Sequence, residues 1–340
     1  MSAPQARLEA YAGRVAVRNA KQRWTRREGR LLRLEAGGHV GLGEVSPLPG
    51  YSPDALPDAE AALVALDLGG LDDALAGGLD DALAFADAAW GDAAAGTDAP
   101  PSAACALEMA LLDLWSRQRG EAAWRGLARL AGRPGSSPVP LAALVDLGQG
   151  METARRIADE RVRAGYRTLK AKVGRDPAGE ALALAALRED HPEVALRVDA
   201  NGTLDPAGAG PLLAALRELG VELLEEPYAP DALAGAAPLP VPVALDESLQ
   251  GPTGPARLVA LADAGRVQAM VLKPMALGGL RRALELARLR PLPTVVSHLF
   301  DGPVAWAAYA ALALALGEER LAAGLAPHAG LDAWPPWPVP

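Results

Sequence analysis

The sequence predicts an α/β protein: a (β/α) TIM-type barrel with a separate accessory (capping) domain. A charged residue follows one apolar β-type run after another, at Lys172, Asp199, Glu225, Asp246 and Lys273. Neighbouring members of this series are 21 to 27 residues apart, about the length of one strand and one helix. The length of 340 residues also suits a barrel with an accessory domain better than one small domain.

The N-terminal part, residues 1–100, is predicted to form the capping domain, completed by a C-terminal tail of residues 326–340. Strand-like alternation over residues 7–46 predicts a small antiparallel sheet. Turns are expected at Glu28-Gly29 and at Gly37-Gly38, because glycine adopts the backbone angles that tight turns require.

Four further segments complete this domain and its borders. Residues 46–53, with the sequence SPLPGYSP, predict a rigid loop. Helical spacing of Asp, Ala and Leu follows over residues 54–90. Residues 91–101 have the composition of a linker, and the proline-rich residues 334–340 exclude a helix. We expect this last segment to pack back on the capping domain.

Residues 101–325 are predicted to form the barrel. Ser102 is a candidate cap for a long helix that runs to Gly120. Plain helical patterns lie between the strands, for example at 150–164 and 279–289. The predicted strands are residues 138–145, five strands that end near Lys172, Asn201, Glu226, Asp246 and Lys273, a seventh at 294–298, and a shorter eighth at 321–326.

Composition argues against several classes of function. A net charge of -9 and a pI near 5.1 argue against a nucleic-acid partner. The longest apolar stretch, Val304–Leu316, has 13 residues and is too short to span a bilayer. The single cysteine, Cys105, is expected in a helical core, and the absence of a disulfide framework or signal-like start predicts a cytoplasmic protein. A basic group near the N-terminus is interpreted as a solvated hairpin or loop: Arg18, Lys21, Arg23, Arg26, Arg27 and Arg30.

Three carboxylates at successive strand ends, Asp199, Glu225 and Asp246, predict a metal site. Carboxyl ends of barrel strands meet at one mouth, so these side chains are expected to converge. An oxygen-only ligand set suits Mg²⁺, with Mn²⁺ as an alternative, better than Zn²⁺. Glu226 and Glu247 are adjacent alternatives, and period-two alternation alone does not decide between neighbours.

The lysines supply candidate bases at the same mouth. Lys170 and Lys172 are two residues apart on one strand, so both face inward, and their mutual repulsion is expected to lower one pKa. Lys273, across the barrel, can act as a second base or as a fixed cation. Asn201 and Arg197 share the inward face with Asp199 and are candidate orienting or substrate-binding residues. With a metal on a substrate carboxylate, a lysine can remove the adjacent proton, and elimination, reprotonation or ring closure can follow.

The motifs at these strand ends resemble those of the enolase superfamily, in its muconate-lactonizing-enzyme subgroup. The superfamily order is kept throughout: K-x-K at Lys170–Lys172, D-A-N at Asp199–Asn201, E-E-P at Glu225–Pro227, D-E-S at Asp246–Ser248 and L-K-P at Leu272–Pro274. The resemblance implies that Asp199, the first Glu of E-E-P (Glu225) and Asp246 bind the metal. It also implies a modified (β/α)7β TIM-type barrel with an α+β capping domain built from the N-terminal third and the C-terminal tail.

Two segments outside the barrel mouth resemble the o-succinylbenzoate synthases more narrowly. They are residues 43–52, which contain the candidate substrate-binding residues Ser46, Pro47 and Tyr51, and the helical residues 102–114. This resemblance implies that Lys172 removes the proton next to the carboxylate of a hydroxycyclohexadiene (SHCHC) and then protonates the departing hydroxyl. It also implies that Lys273 stabilises the ene-diolate as a cation, and that o-succinylbenzoate forms on the route to menaquinone.

The seventh strand end departs from the usual pattern of these enzymes. It carries Ser297, a candidate substrate-binding residue, followed by His298 and, three residues later, Asp301. Mandelate-racemase-like relatives pair a His here with an Asp of the preceding strand, where this chain has Lys273. We therefore interpret His298 as a packing or substrate-lining residue.

Three other functions stay open. An N-acylamino-acid racemase or dipeptide epimerase would use Lys172 and Lys273 as bases on opposite faces of the substrate. A non-catalytic barrel could keep the metal site for ligand binding, although the complete set of lysines and carboxylates argues against it. A metal-dependent aldolase is a weaker candidate. The expected partner is a small carboxylate substrate, and the sequence does not decide between a monomer and a homo-oligomer.

Overall fold

Two separate β-sheets organise the chain in the computed structural model, as the sequence predicts. An antiparallel sheet of three strands forms the cap, and a curled parallel sheet of seven strands forms the barrel. The described residues are 3–18, 21–90, 99–135, 138–317, 321–328 and 331. Among them, no helix is long and apolar enough to cross a membrane.

The cap sheet has the order β1 (Gln5–Arg18), β2 (Arg23–Ala36) and β3 (His39–Val45). The predicted turn at Gly37-Gly38 is confirmed, with φ of +58° and +78°. The predicted turn at Glu28-Gly29 is wrong, because both residues lie inside β2, where Gly29 pairs with Tyr11. A Cβ at Gly29 would lie 2.2 Å from the Tyr11 hydroxyl, so this glycine makes room for a ring.

Helices cover the cap sheet and connect it to the barrel. The helical stretch predicted for residues 54–90 forms α1 (Leu56–Val64), α2 (Leu71–Ala76) and α3 (Leu79–Ala88). Next come α4 (Pro101–Arg119) and α5 (Ala123–Ala131). In β3, Gly41 and Gly43 let α4 approach closely: a Cβ there would lie 2.1 and 1.9 Å from the carbonyl oxygens of Ala110 and Ala106. Because α4 packs on the cap sheet, the domain boundary at residue 101 stays a prediction.

The start of α4 differs from the expectation. The helix begins at Pro101, and Ser102 lies one residue inside it rather than at the cap position. Its hydroxyl donates a 2.5 Å hydrogen bond to Asp54. The predicted end at Gly120 is confirmed, where φ is +62°. Cys105 is buried in this helix, as expected.

The barrel strands are parallel and lie in chain order, and the five predicted charged ends are confirmed to within two residues. The strands are β4 (Ala142–Val145), β5 (Thr168–Lys172), β6 (Ala195–Asp199), β7 (Leu223–Glu225), β8 (Val243–Leu245), β9 (Ala269–Leu272) and β10 (Thr294–Val296). The outer helices are α6 (Met151–Arg163), α7 (Pro177–Asp190), α8 (Gly210–Glu218), α9 (Pro230–Gly235), α10 (Gly254–Asp263), α11 (Pro274–Leu277), α12 (Leu280–Leu289) and α13 (Pro303–Leu316).

A short extended segment closes the barrel where an eighth strand is predicted. The amide of Ala323 donates to Pro140 and its carbonyl accepts from Ala142, both at 2.8 Å. One residue on, Gly324 donates to the carbonyl of Val296 at 2.9 Å. The segment therefore joins the first and last strands through isolated bridges rather than a full ladder. The predicted linker lies largely, and the tail 334–340 entirely, outside the described residues.

Glu108 of α4 supplies a test of stability against pH. It is buried, and its Oε2 accepts a 2.9 Å hydrogen bond from the amide of Arg281 at the start of α12. Burial raises its pKa from 4.5 to about 8, although the Arg281 amide and guanidinium oppose the shift. Between those values the unfolded chain carries the ionised carboxylate while the folded protein keeps the proton. This group should therefore lower stability as pH rises from 4.5 to 8, and not outside that window.

We expect Glu108→Gln to remove that slope, because glutamine keeps an oxygen acceptor but does not titrate. Urea denaturation at pH 5, 6.5 and 8 measures the free energy of unfolding of both proteins. The difference between wild type and variant should change by up to about 1.4 kcal/mol per pH unit in this window. Parallel curves for the two proteins would contradict the assignment.

Candidate active site

Three carboxylates meet at the mouth of the barrel, at the carboxyl ends of β6, β7 and β8. The strand register places Asp199 beside both Lys172 and Glu225. One carboxylate oxygen from each of Asp199, Glu225 and Asp246 lies within 4.8 Å of the other two, and all three residues are buried. The structure thus brings together the three predicted metal ligands.

The chemistry of this trio fits a divalent cation. Glu225 Oε1 is buried and has no hydrogen-bond partner among the described residues, so this carboxylate oxygen is left with its charge unsatisfied. Three carboxylates without a nitrogen or sulfur donor suit a hard ion that takes oxygen ligands. Asp199, Glu225 and Asp246 can therefore hold a divalent metal.

The adjacent glutamates lie outside the group of three and have hydrogen bonds of their own, although Glu247 Oε2 is also buried without a partner among the described residues. The Glu226 carboxylate accepts hydrogen bonds from the Asp246 amide at 2.8 Å and from the amide and hydroxyl of Ser248. Glu247 accepts a 3.0 Å hydrogen bond from the side chain of Asn201. Burial raises the pKa of Glu226 to about 7 and, together with nearby Asp246, that of Glu247 to about 8.

Left-handed backbone turns follow three barrel strands at this mouth. Among the described residues, the non-glycine positions with positive φ are Asn201, Glu226 and Phe300, at +46°, +38° and +57°. Such angles are costly for residues with a Cβ and often occur at functional sites. Here they turn the chain sharply after β6, β7 and β10.

Lys170 holds two of the carboxylates together. Its Nζ lies 2.5 Å from Glu225 Oε2 and 3.1 Å from Asp199 Oδ2. Burial alone would lower the pKa of this amine, but the carboxylates of Asp199, Glu225 and Asp246 outweigh it and raise the pKa. Lys170 is therefore held as an ammonium and is poorly suited to accept a proton.

Lys172 is the lysine whose surroundings favour the neutral amine. Its Nζ lies 3.1 Å from Asp199 Oδ2 and 3.0 Å from Asn201 Oδ1. Burial, with repulsion from Lys170 and Lys273, outweighs the attraction of Asp199 and lowers its pKa. The predicted repulsion between neighbouring lysines is present, but burial is the larger cause.

Lys273 lies at the other end of the carboxylate group, bound to Asp246. The Tyr51 hydroxyl lies 2.7 Å from the Lys273 Nζ and 3.0 Å from Asp246 Oδ1. The ammonium also lies 4.6 Å from the centre of the Tyr51 ring, in cation–π contact. Burial lowers the pKa of Lys273, but Asp246 and Glu247 outweigh burial and raise it. A charged ammonium in this place suits a fixed cation.

Asp199 and the three lysines face a cavity of about 630 Å³ between the cap and the barrel mouth. The predicted residues Lys170, Lys172, Lys273, Asn201 and Ser297 line it, as does Tyr51. Apart from His298, sequence reasoning missed an aromatic wall of this cavity. Its members, with one aliphatic side chain, are Trp24, Leu48, Phe300 and His328, together with His298.

The two histidines of this wall are in contact. The rings of His298 and His328 stack at 4.2 Å, and His298 Nδ1 accepts a 2.9 Å hydrogen bond from the Phe300 amide. Burial, with His328 and Lys273 nearby, lowers the pKa of His298 well below its usual value. His298 is thus a neutral lining residue with its proton on Nε2, which agrees with its interpretation from the sequence.

Several predicted site residues lie elsewhere. Arg197 is buried inside the barrel, where it pairs with Glu222 at 2.5 Å and donates to the Ala322 carbonyl at 2.6 Å. Ser46 is buried beside Glu44 and outside the cavity lining, and Pro47 also lies outside it. From the predicted capping loop only Leu48 and Tyr51 reach the cavity.

Comparison with known protein families gives two matches that together cover most of the chain. The family described as enolase C-terminal domain-like matches residues 152–334. The family described as the MenC N-terminal domain matches residues 10–72. The first match spans the barrel strands that carry the carboxylates and lysines, and the second spans the segment that carries Tyr51.

Individual relatives agree with these matches. An o-succinylbenzoate synthase of Desulfotalea psychrophila is 32% identical over 306 residues, which cover 82% of this chain and 81% of the relative. An N-succinylamino acid racemase of Thermus thermophilus is 31% identical over 193 residues, 56% of this chain and 49% of the relative.

A solved structure extends the likeness to nearly the whole fold. The o-succinylbenzoate synthase of Thermosynechococcus elongatus BP-1, solved with Mg in its active site, covers 99% of this chain. Some 96% of that chain is matched, with a TM-score of 0.68 and 26% identity. The three carboxylates, the lysines at the barrel mouth and these matches agree: the chain belongs to the enolase superfamily, among the o-succinylbenzoate synthases.

Proposed function

We propose that this enzyme is a lyase that dehydrates the hydroxycyclohexadiene carboxylate SHCHC to o-succinylbenzoate, a step of menaquinone biosynthesis. The observation that carries the proposal is the geometry of the barrel mouth, where three carboxylates that can hold a metal lie together, with Lys172 in contact with Asp199 and Lys273 in contact with Asp246. Lys172 has a lowered pKa beside Asp199, and Lys273 has a raised pKa beside Asp246. One amine suits proton transfer and the other suits a fixed positive charge.

Asp199, Glu225 and Asp246 would hold Mg²⁺, with Mn²⁺ as an alternative. When bound, the ion supplies positive charge that makes the proton next to a substrate carboxylate more acidic. Lys172 Nζ, held by Asn201 Oδ1 at 3.0 Å, takes that proton. The same amine, now charged, then returns a proton to the departing hydroxyl, so one residue serves both halves of the elimination.

Lys273 stabilises the negative charge that develops on the substrate carboxylate. The Tyr51 hydroxyl fixes the direction of its ammonium, and its position deep in the site limits solvent access. A preorganised cation in a dry site interacts more strongly than one in water. The aromatic wall around Trp24 and Phe300 would cover the ring and the succinyl chain.

The racemase alternative rests on the same two lysines. Lys172 and Lys273 flank the carboxylate group from different strands, as two bases on opposite faces of a substrate would. The hydrogen bond from Lys273 Nζ to the Tyr51 hydroxyl, at 2.7 Å, holds the ammonium in place and favours the synthase, in which Lys273 acts as a fixed cation. We further infer a cytoplasmic setting, since the single cysteine is buried and unpaired.

A direct assay tests the proposal. Purified enzyme is mixed with SHCHC, with Mg²⁺ and after chelation, and the formation of the aromatic product is followed by absorbance. N-succinyl amino acids are tested in parallel for loss of optical rotation. We expect metal-dependent dehydration. Racemisation without dehydration would replace the synthase by the alternative.

Replacing Lys273 with arginine separates the two reactions further. Arginine keeps a positive charge but does not release its proton, so it can replace a cation and cannot replace a base. We expect dehydration to fall about 10- to 100-fold yet stay measurable, and any racemisation to disappear. Steady-state rates on both substrates measure this, and equal loss of both activities would argue against a purely electrostatic Lys273.

A further inference from the structure

A second group of buried charges lies behind the active site, between the cap sheet and the barrel. Arg27 of β2, Glu44 of β3 and Asp301, after β10, are each at most 1% exposed, and all approach the hydroxyl or carbonyl of Ser46. None of these four residues lines the cavity. The expectation that the N-terminal basic group is solvated is wrong for Arg27, because contacts with Ser46 and Asp301 bury its side chain in the folded protein.

The Arg27 guanidinium joins two chain segments that border the cavity. We name them the cap loop (residues 46–52) and the β10 loop (residues 297–302). Towards the cap loop, Nη2 donates to the Ser46 carbonyl at 2.5 Å and Nη1 to the Pro47 carbonyl at 3.0 Å. Towards the β10 loop, Nε donates to the Phe300 carbonyl at 3.3 Å and Nη2 to Asp301 at 3.4 Å.

The two carboxylates complete the same connection. Glu44 accepts hydrogen bonds from the Gly302 amide at 2.6 Å and from the Ser46 hydroxyl at 2.9 Å. Asp301 accepts from the Leu299 amide at 2.9 Å. Burial raises the pKa of both Glu44 and Asp301. Apolar side chains could often fill such a place without loss of stability, so the polar groups point to a need for defined geometry.

The two loops carry the groups that define the cavity. In the cap loop, a tight turn with hydrogen bonds from Tyr51 and Ser52 to the Leu48 carbonyl aims the Tyr51 hydroxyl at Lys273. The Trp24 indole donates to the Pro49 carbonyl at 3.0 Å, which holds the turn from the same strand as Arg27. In the β10 loop, His298 and Phe300 form part of the aromatic wall.

We propose that Arg27 is a positioning residue, which fixes the cap loop and the β10 loop relative to each other and so places Tyr51 on Lys273. The planar guanidinium donates in fixed directions to carbonyls of both loops at once, whereas an ammonium is a compact point charge without that planar fork. The inference deepens the proposed function and rests on it only for the reaction whose rate is measured. The claim that Arg27 fixes the two loops does not depend on which substrate the enzyme takes.

Hydrogen–deuterium exchange of the whole protein tests that claim. Arg27→Lys keeps the charge and loses the fork. The matched control is Arg26→Lys, at the neighbouring position, where the side chain is exposed and pairs with Glu28. We expect faster exchange in peptides covering both loops for Arg27→Lys alone. Unchanged exchange in either loop would overturn the proposal, and Arg27→Gln takes the place of Arg27→Lys if the latter does not fold.

Kinetics separate positioning from general stability. We expect Arg27→Lys to lower kcat/KM about 10- to 100-fold while Mg²⁺ affinity, measured by calorimetry, stays within about twofold. In a Tyr51→Phe background the same change should add less than about threefold, because the hydroxyl it positions is gone. An undiminished effect in that background would overturn the proposal. If the wild type does not dehydrate SHCHC but exchange changes as expected, only the proposed function fails.

Discussion

Replacing Lys172 with methionine should lower the rate of dehydration by about 10⁴-fold. Methionine has a similar length but no amine, so neither the abstraction of the proton nor its return to the leaving hydroxyl can take place. The loss should appear in kcat, and exchange of the proton next to the substrate carboxylate with D₂O should stop as well. Steady-state kinetics and NMR of the substrate in D₂O measure the two effects.

The chain offers a clear control for this change. Its four lysines are Lys21, Lys170, Lys172 and Lys273, and Lys21 is exposed in the cap. Lys21→Met should keep full activity. Lys172→Met should still bind Mg²⁺, because the carboxylates remain and one positive charge beside Asp199 is removed. Proton exchange that persists in Lys172→Met would assign the base to another residue.

Replacing Glu225 with glutamine should weaken Mg²⁺ binding by about 100-fold or more and remove activity with it. Among the described residues, Glu225 Oε1 is the oxygen of the three carboxylates that is buried without a hydrogen-bond partner, and an amide in its place brings no charge to the ion. Calorimetric titration with Mg²⁺ gives the affinity, and circular dichroism verifies that the variant is folded.

The neighbouring glutamate provides the comparison. Glu226 is not one of the three carboxylates that come together, and instead accepts hydrogen bonds from Asp246 and Ser248. Glu226→Gln should therefore reduce Mg²⁺ affinity by less than about tenfold, through a shift in Asp246 alone. A larger loss from Glu226→Gln than from Glu225→Gln would reverse the assignment of the ligand.

The barrel mouth could be predicted from the sequence because two periodic features agree there. The spacing from one charged strand end to the next matches one strand and helix, and alternation along each strand selects its inward face. Parallel register then brings Lys172, Asp199 and Glu225 side by side. Alternation left Glu225 and Glu226 equivalent, and the backbone turn at Glu226, with φ of +38°, separates them in the folded protein.

The usage of lysine and arginine is a signal that could have singled out the site earlier. Of 33 lysines and arginines in the chain, four are lysines, and three of these four line the cavity. Arginine supplies the positive side-chain charge in the rest of the protein, apart from Lys21. Because arginine does not lose its proton at neutral pH, a reaction that moves a proton requires lysine.

Local patterns failed where distant residues decide the environment. Glu28-Gly29 has the composition of a turn, yet Gly29 lies in a strand because the Tyr11 ring occupies the space a side chain would need. Arg27 belongs to a run of basic residues and was expected in solvent, but its carboxylate partner Asp301 lies 274 residues further along the chain. Neither contact leaves a trace in the neighbouring sequence.

By itself the sequence determined the barrel, its capping sheet, the three carboxylates and the lysines, because strand–helix repeats and alternation are local periodic properties. The tertiary structure decided the rest. It set the unequal states of Lys172 and Lys273, the aromatic wall with His298 and His328, and the place of Arg27 between the two loops. These depend on burial and on charges brought close by folding, and such through-space effects have no fixed spacing along the chain.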